Sequence, residues 1–134
     1  MKLKTLHLRL LPKWFDATLK GIKNLEYRDA TPYYASQLLM GAKGEPKSSK
    51  DFEGEGLALS LIFGDEKISV REAVKRGILV RSFDRVIEHR SGGKETAEYV
   101  CKKMRLAQCP NGNAAPKEMF VLTLERVGGE PKKK

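Results

Sequence analysis

From residue 4 the chain alternates. Leu6, Leu8 and Leu10 stand between His7 and Arg9, the two-residue period of a strand with one face buried. Pro12 suits the first turn of a helix. Trp14, Phe15, Thr18, Leu19 and Ile22 recur near helical spacing, with Gly21 as a stop. KNLEYR reads as a second strand, with Leu25 and Tyr27 on one face and Asn24, Glu26 and Arg28 on the other. TPYYASQLLMG predicts a short helix capped by Thr31, with Pro32 at its first position and Gly41 beyond its end. AKGEPKSSKDFEGEG has no period, so residues 42–55 are expected to form a flexible polar insertion.

LALSLIFG has the strongest strand pattern, with Leu57, Leu59, Leu61 and Phe63 on one side. SVREAVKRG carries the serine, two spacers and glutamate of a capping box, which predicts a helix from Ser69 to near Gly77. ILVRSFDRVIEHR reads as a single strand with a bulge, because its apolar positions break strict alternation. KETAEYVCKKMRL puts Ala97, Val100, Cys101 and Met104 on one helical stripe, predicting a further helix in which Cys101 is a small core residue. CPNGNAAP is turn chemistry, and EMFVLTLERV is a closing strand with Phe120, Leu122 and Leu124 aligned. GGEPKKK is too polar to pack, and residues 129–134 are expected to be a basic disordered tail.

Helices alternating with strands ordinarily indicate a parallel α/β sheet. Here the strands alternate in polarity and none leads into a glycine-rich phosphate turn. Both features favour an α+β fold, a small mixed β-barrel or curved sheet with peripheral helices. A chain of 134 residues fits one domain with a modest core.

Charge changes the picture. Lys and Arg number 26 against 17 Asp and Glu, a net +9. Residues 1–50 hold ten basic and four acidic side chains, residues 51–90 seven and eight, and residues 91–134 nine and five. Such a field attracts polyanions, nucleic acid first among them. No apolar run approaches the roughly 18 residues of a membrane span, and the N-terminus reads as a strand instead of a signal peptide. Cys101 and Cys109 are too few for a disulfide framework, and no cysteine–histidine spacing suits zinc. A reduced, cytoplasmic protein without metal, cofactor or membrane partner is expected.

The candidate chemistry gathers after Gly21. Lys23 sits in the turn that follows the first helix, and Glu26 and Arg28 share one side of the next strand. The three converge if Lys23 swings over that side. Glu26 and Arg28 would then hold each other, leaving Lys23 to meet an anion or, when desolvated, to act as a base. His7 and Arg9 border the same cleft, and Tyr33 and Tyr34 offer a stacking surface for a base. The plainer account is a surface ion pair worth about 0–1 kcal/mol and a solvated lysine. Neither histidine has a partner visible in the sequence, so each reads as a polar-face residue.

The order of an apolar strand, WFDATLKG, Lys23, two spacers, Glu26, one spacer and Arg28 resembles the signature of the ASCH family, a branch of the PUA-like superfamily. EYRDATPYYASQL resembles small bacterial and phage members, in which an aromatic pair and a short helix follow the arginine. LALSLIFG and MFVLTLERV sit where later barrel strands of the family sit. The likeness covers most of the chain apart from residues 42–55 and the tail, which frames residues 1–128 as one ASCH domain.

The resemblance implies a barrel of about five or six strands with helices around it, and a cleft for RNA or a nucleotide lined by Lys23, Glu26 and Arg28. Some relatives are hydrolases: one group removes an acetyl group from a modified cytidine, and others cleave RNA. In the amidohydrolase group a threonine nucleophile stands three positions after the lysine. Glu26 stands there in this chain, so a covalent threonine mechanism lacks its hydroxyl. A carboxylate base acting on water, with Lys23 or Arg28 stabilising the oxyanion, keeps hydrolysis open.

Two expectations follow. The first is a module that binds RNA, other single-stranded nucleic acid or a nucleotide, with Lys23 and Arg28 on phosphates or base edges and Tyr33 or Tyr34 stacking. The alternative is a ribonuclease or nucleoside amidohydrolase in which Lys23 and Glu26 are catalytic. A weaker third is an accessory protein that meets another protein through its basic surface.

Overall fold

The computed structural model describes residues 3–21, 24–53, 58–60, 67–127 and 132–133. In chain order its elements are β1 (Lys4–Leu10), α1 (Pro12–Leu19), β2 (Leu25–Asp29), α2 (Pro32–Leu38), β3 (Leu39–Gly41) and a 3-10 turn (Ser49–Asp51). Then come β4 (Phe52–Glu53), β5 (Ala58–Ser60), β6 (Lys67–Ser69), α3 (Val70–Lys75), β7 (Leu79–Arg81) and β8 (Phe83–Arg90). The long strands β9 (Glu95–Asn111) and β10 (Ala114–Arg126) follow, and β11 (Lys132–Lys133) is last. The class is mixed α+β. The main sheet runs β1-β8-β9-β10-β2 with β11 beside β9, an open path that forms no closed barrel among the described strands.

The chain divides into two compact units. The first comprises Leu3–Tyr27, Phe83–Arg105 and Val121–Lys134; the second is built mainly from Arg28–Ser82 and Leu106–Phe120. Both are assembled from separate stretches, and β9 and β10 pass through the two.

In the first unit, β1 pairs in parallel with β8, placing Leu6 beside Val86, Leu8 beside Glu88 and Arg9 beside His89. The alternation seen in the sequence decides the faces: Leu6, Leu8 and Leu10 are buried, and His7 and Arg9 point outward. β8 then pairs antiparallel with β9, bringing Val86 opposite Tyr99. Helix α1 starts at Pro12 and buries Phe15 and Thr18, while Trp14 stays 47% exposed. Burying a phenylalanine stabilises by about 1.5–3 kcal/mol, so Phe15 is the chief anchor of this short helix.

Here the structure corrects the expected fourth helix. KETAEYVCKKMRL lies within β9, where Ala97, Tyr99 and Cys101 are buried at a period of two. The spacing fits both periods, and backbone pairing with β8 selects the strand. Cys101 is nonetheless a core residue, as read from the sequence. The turn of CPNGNAAP narrows to Gly112 and Asn113, and the residues on either side belong to β9 and β10. Lys132–Lys133 also departs from a structureless tail, since it pairs with Thr96 and Glu95 as β11.

In the second unit, Thr31 caps α2 by accepting a hydrogen bond from the Tyr34 backbone N–H, and Pro32 takes the first helical position. Gly41 does not sit past a helix end. It belongs to β3, which pairs with β7, and a Cβ there would run into the Glu45 carboxylate. The polar insertion carries structure where the sequence shows no period. Pro46 bridges to Met40, the 3-10 turn is stabilised by Asp51 accepting from the Ser48 N–H at 2.7 Å, and Phe52 is buried at 3% exposure. Of LALSLIFG, only Ala58–Ser60 lies within the described residues, as the middle strand of β4-β5-β6.

ILVRSFDRVIEHR is two strands. Its break is Ser82, whose N–H donates to the Leu38 carbonyl at 2.9 Å and whose hydroxyl donates to the Gln37 carbonyl at 3.0 Å. At α3, Ser69 Oγ accepts from the Glu72 N–H at 3.1 Å, and the Glu72 carboxylate pairs forward with Arg76 at 2.9 Å. Ser69→Ala is therefore expected to cost about 1 kcal/mol, read as a lower urea midpoint at unchanged slope.

Candidate functional site

The motif that the sequence singles out begins where α1 ends. The N–H of Gly21 donates to the Thr18 carbonyl at 3.1 Å, and its φ of +75° is a left-handed turn that a side chain would strain. Lys23 lies outside the described residues. The Asn24 carbonyl then accepts from the Leu124 N–H at 2.9 Å, which draws the chain into the sheet as β2. Strand alternation puts Glu26 and Arg28 on one side and Tyr27 on the other, as expected. The polar side is the inner one: Glu26 is 5% exposed and Tyr27 is 41% exposed. The Glu26 carboxylate is thus out of bulk water, which the plainer surface-pair account did not anticipate.

In the second unit, Arg28 meets the tyrosines. Its Nη1 donates to the Tyr34 hydroxyl at 3.3 Å, and its guanidinium carbon lies 5.7 Å from the Tyr34 ring centre. Tyr33 packs edge-on against Tyr34, with ring centres 5.1 Å apart and planes at 75°. Tyr33 is 60% exposed, the most exposed large apolar side chain among the described residues. The α2 cap explains the arrangement, because Thr31 and Pro32 start the helix so that two successive tyrosines occupy its first turn. The adjacent Asp29 carboxylate is taken up by Lys117 at 2.9 Å. What results is a guanidinium and an accessible aromatic pair held together, with the adjacent Asp29 carboxylate paired to Lys117.

Two further groupings lie in the first unit. A hollow of about 210 Å³ at the end of α1 is lined by Thr18, Lys20, Asn24, Tyr99 and Arg126 among others. Arg126 closes its edge by donating to the Leu19 carbonyl at 3.5 Å. The Tyr99 hydroxyl is buried and has no hydrogen-bond partner among the described residues. Burial, and secondarily the Glu88 carboxylate, push its ionisation well above the usual phenol range, while Arg126 opposes them. Sequence reasoning missed Tyr99 because it placed this residue on a helix.

The second grouping joins the two histidines, each of which has the other as partner. His7 Nδ1 lies 2.9 Å from His89 Nε2 across 82 residues of sequence. With Leu8 and Arg9 they line an open hollow of about 240 Å³. No local signal announces this pair, because only the β1–β8 register creates it.

Among the described residues, no three His, Cys, Asp or Glu side chains gather as a metal site would need. No described helix is long and apolar enough to cross a membrane. Comparison of the chain with protein-family models, with curated proteins and with solved structures returned no match.

Proposed function

We propose that the protein is an ASCH-type, PUA-like module of the cytoplasm that binds single-stranded RNA or a nucleotide. The observation that carries this reading is the exposed Tyr33 ring, backed edge-on by Tyr34 and tied through the Tyr34 hydroxyl to Arg28. Nucleobases stack on accessible aromatic rings whatever their sequence, and a neighbouring guanidinium meets phosphate or base edges. The net charge of +9 supplies the long-range attraction that such ligands need. The order from WFDATLKG to Arg28 supports the family assignment, and with it the barrel architecture and the role of Lys23 as an anion contact.

The test is fluorescence anisotropy with short labelled oligoribonucleotides. Binding is expected at low salt, with log K falling linearly as log salt rises. Tyr33→Ala is expected to weaken binding by roughly 5- to 150-fold, the loss of about 1–3 kcal/mol of base stacking. No binding at low salt, or a Tyr33→Ala variant that binds as well as the parent, overturns the proposal.

One observation favours the hydrolase as a second reading, namely the burial of the Glu26 carboxylate on β2. Shelter from bulk water is one of the means by which enzymes fit a carboxylate for general-base work. If the protein cleaves RNA or deacylates a modified nucleoside, Glu26→Gln abolishes product formation while anisotropy still reports binding. Parent protein that leaves both substrate classes unchanged removes this reading.

A further inference from the structure

The outer face of the β1–β8 pair concentrates positive and proton-accepting groups in one place. Parallel register sets Arg9 directly beside His89, and alternation sets His7 two positions earlier on the same side. The imidazole rings lie 5.1 Å apart at 34°, and their 2.9 Å contact means that one nitrogen carries the shared hydrogen while the other receives it. Among the described residues no carboxylate pairs with Arg9. Three acids of neighbouring elements are engaged or turned away. Glu98 of β9 pairs with Arg85, Asp16 of α1 pairs with Arg90, and Glu88 stands on the buried face of β8.

We propose that His7, Arg9 and His89 form a receptor site for a phosphoryl group, which enters in place of the hydrogen bond between the two rings. The chemistry is direct. The ring that now accepts takes up a proton and becomes a donor, so that two imidazole N–H groups and the guanidinium face one oxyanion. Without an anion, two protonated rings at this separation would repel each other. The anion removes that repulsion, and the hollow beside the rings is open to receive it. A nucleotide's terminal phosphate and a strand's phosphodiester offer the same oxygens, and this site belongs to the first unit, whereas the Tyr33 platform on which the proposed function rests belongs to the second.

The chain has two histidines, so the imidazole Cε1–H signals in a proton NMR spectrum report on this site alone. In a titration of the full-length protein near pH 6, where imidazole is partly protonated, inorganic phosphate is expected to move both signals along saturable curves. Sodium chloride at matched ionic strength is expected to leave them in place. Arg9→Met should weaken the phosphate response by about tenfold or more, the loss of a charge-assisted contact, and Tyr33→Ala should not alter it. Saturation with a nucleoside 5′-monophosphate but not with an oligoribonucleotide lacking terminal phosphates assigns the site to terminal phosphate. Saturation with both extends it to the strand backbone. Signals that follow ionic strength alone, shifts that never saturate, or an Arg9→Met variant that responds like the parent overturn the proposal.

Discussion

Phe15→Ala is expected to lower the free energy of unfolding by about 3–5 kcal/mol, a large part of the roughly 5–15 kcal/mol that holds a domain of this size. Helix α1 has eight residues, too short to persist in water without packing. Its side chains contribute unequally: Phe15 is 0% exposed, whereas Trp14 next to it is 47% exposed and carries Lys13 Nζ over its ring at 4.8 Å. Truncating Phe15 removes the fully buried side chain that seats α1 and leaves a void in the core beneath it. Urea unfolding followed by far-UV circular dichroism measures the loss. Trp14→Ala is the comparison, expected to cost far less because Trp14 stays 47% exposed in the folded chain. Equal losses in the two variants would show that α1 is not seated through Phe15.

Alkali should expose the second large effect. Tyr99 is buried at 2% exposure, and its ionisation is raised first by burial and then by Glu88, against the pull of Arg126. An unfolded tyrosine releases its proton near pH 10, while the native one keeps it. Above that pH the native state therefore binds more protons than the unfolded state, and stability falls as pH rises. The slope approaches about 1.4 kcal/mol per pH unit for one proton, and below pH 10 the contribution is intact. Absorbance at 295 nm should show the Tyr99 phenolate only as circular dichroism reports unfolding. Tyr99→Phe should remove that late absorbance step and flatten stability above pH 10. A Tyr99 phenolate that forms while the fold persists would contradict the burial described for its hydroxyl.

The elements legible in the sequence are those whose cause is local. Alternation in Leu6, Leu8 and Leu10 places β1 and its faces, and Thr31 with Pro32 and Ser69 with Glu72 place the starts of α2 and α3. β9 was not legible, because Ala97, Val100, Cys101 and Met104 satisfy a helical period while Ala97, Tyr99 and Cys101 satisfy a strand period. Only the neighbouring strands break that tie. Ser82 was not legible as a break either, since the carbonyls that hold it belong to residues more than forty positions earlier.

The candidate site divides the same way. Spacing correctly put Glu26 and Arg28 on one side of β2, and it pointed to Tyr33 and Tyr34 as aromatic groups without showing that the two rings pack edge-on. It did not show that the charged side of β2 is the sheltered one. It also could not pair His7 with His89, because that contact exists only through strand register. For Lys23 the motif remains the sole guide, since the residue falls outside the described positions.

The interleaving of the two units along the chain bears on how the molecule can be dissected. Neither is a contiguous segment: Arg28–Ser82 interrupts the first, and the second is completed by Leu106–Phe120, borrowed from the middle of a hairpin. A stop codon or a domain-sized deletion would leave each with a missing piece, so binding activities cannot be mapped here by expressing halves. A single protease nick at an exposed turn such as Gly112–Asn113 would instead yield two fragments that stay annealed through β9 and β10 and separate only in denaturant.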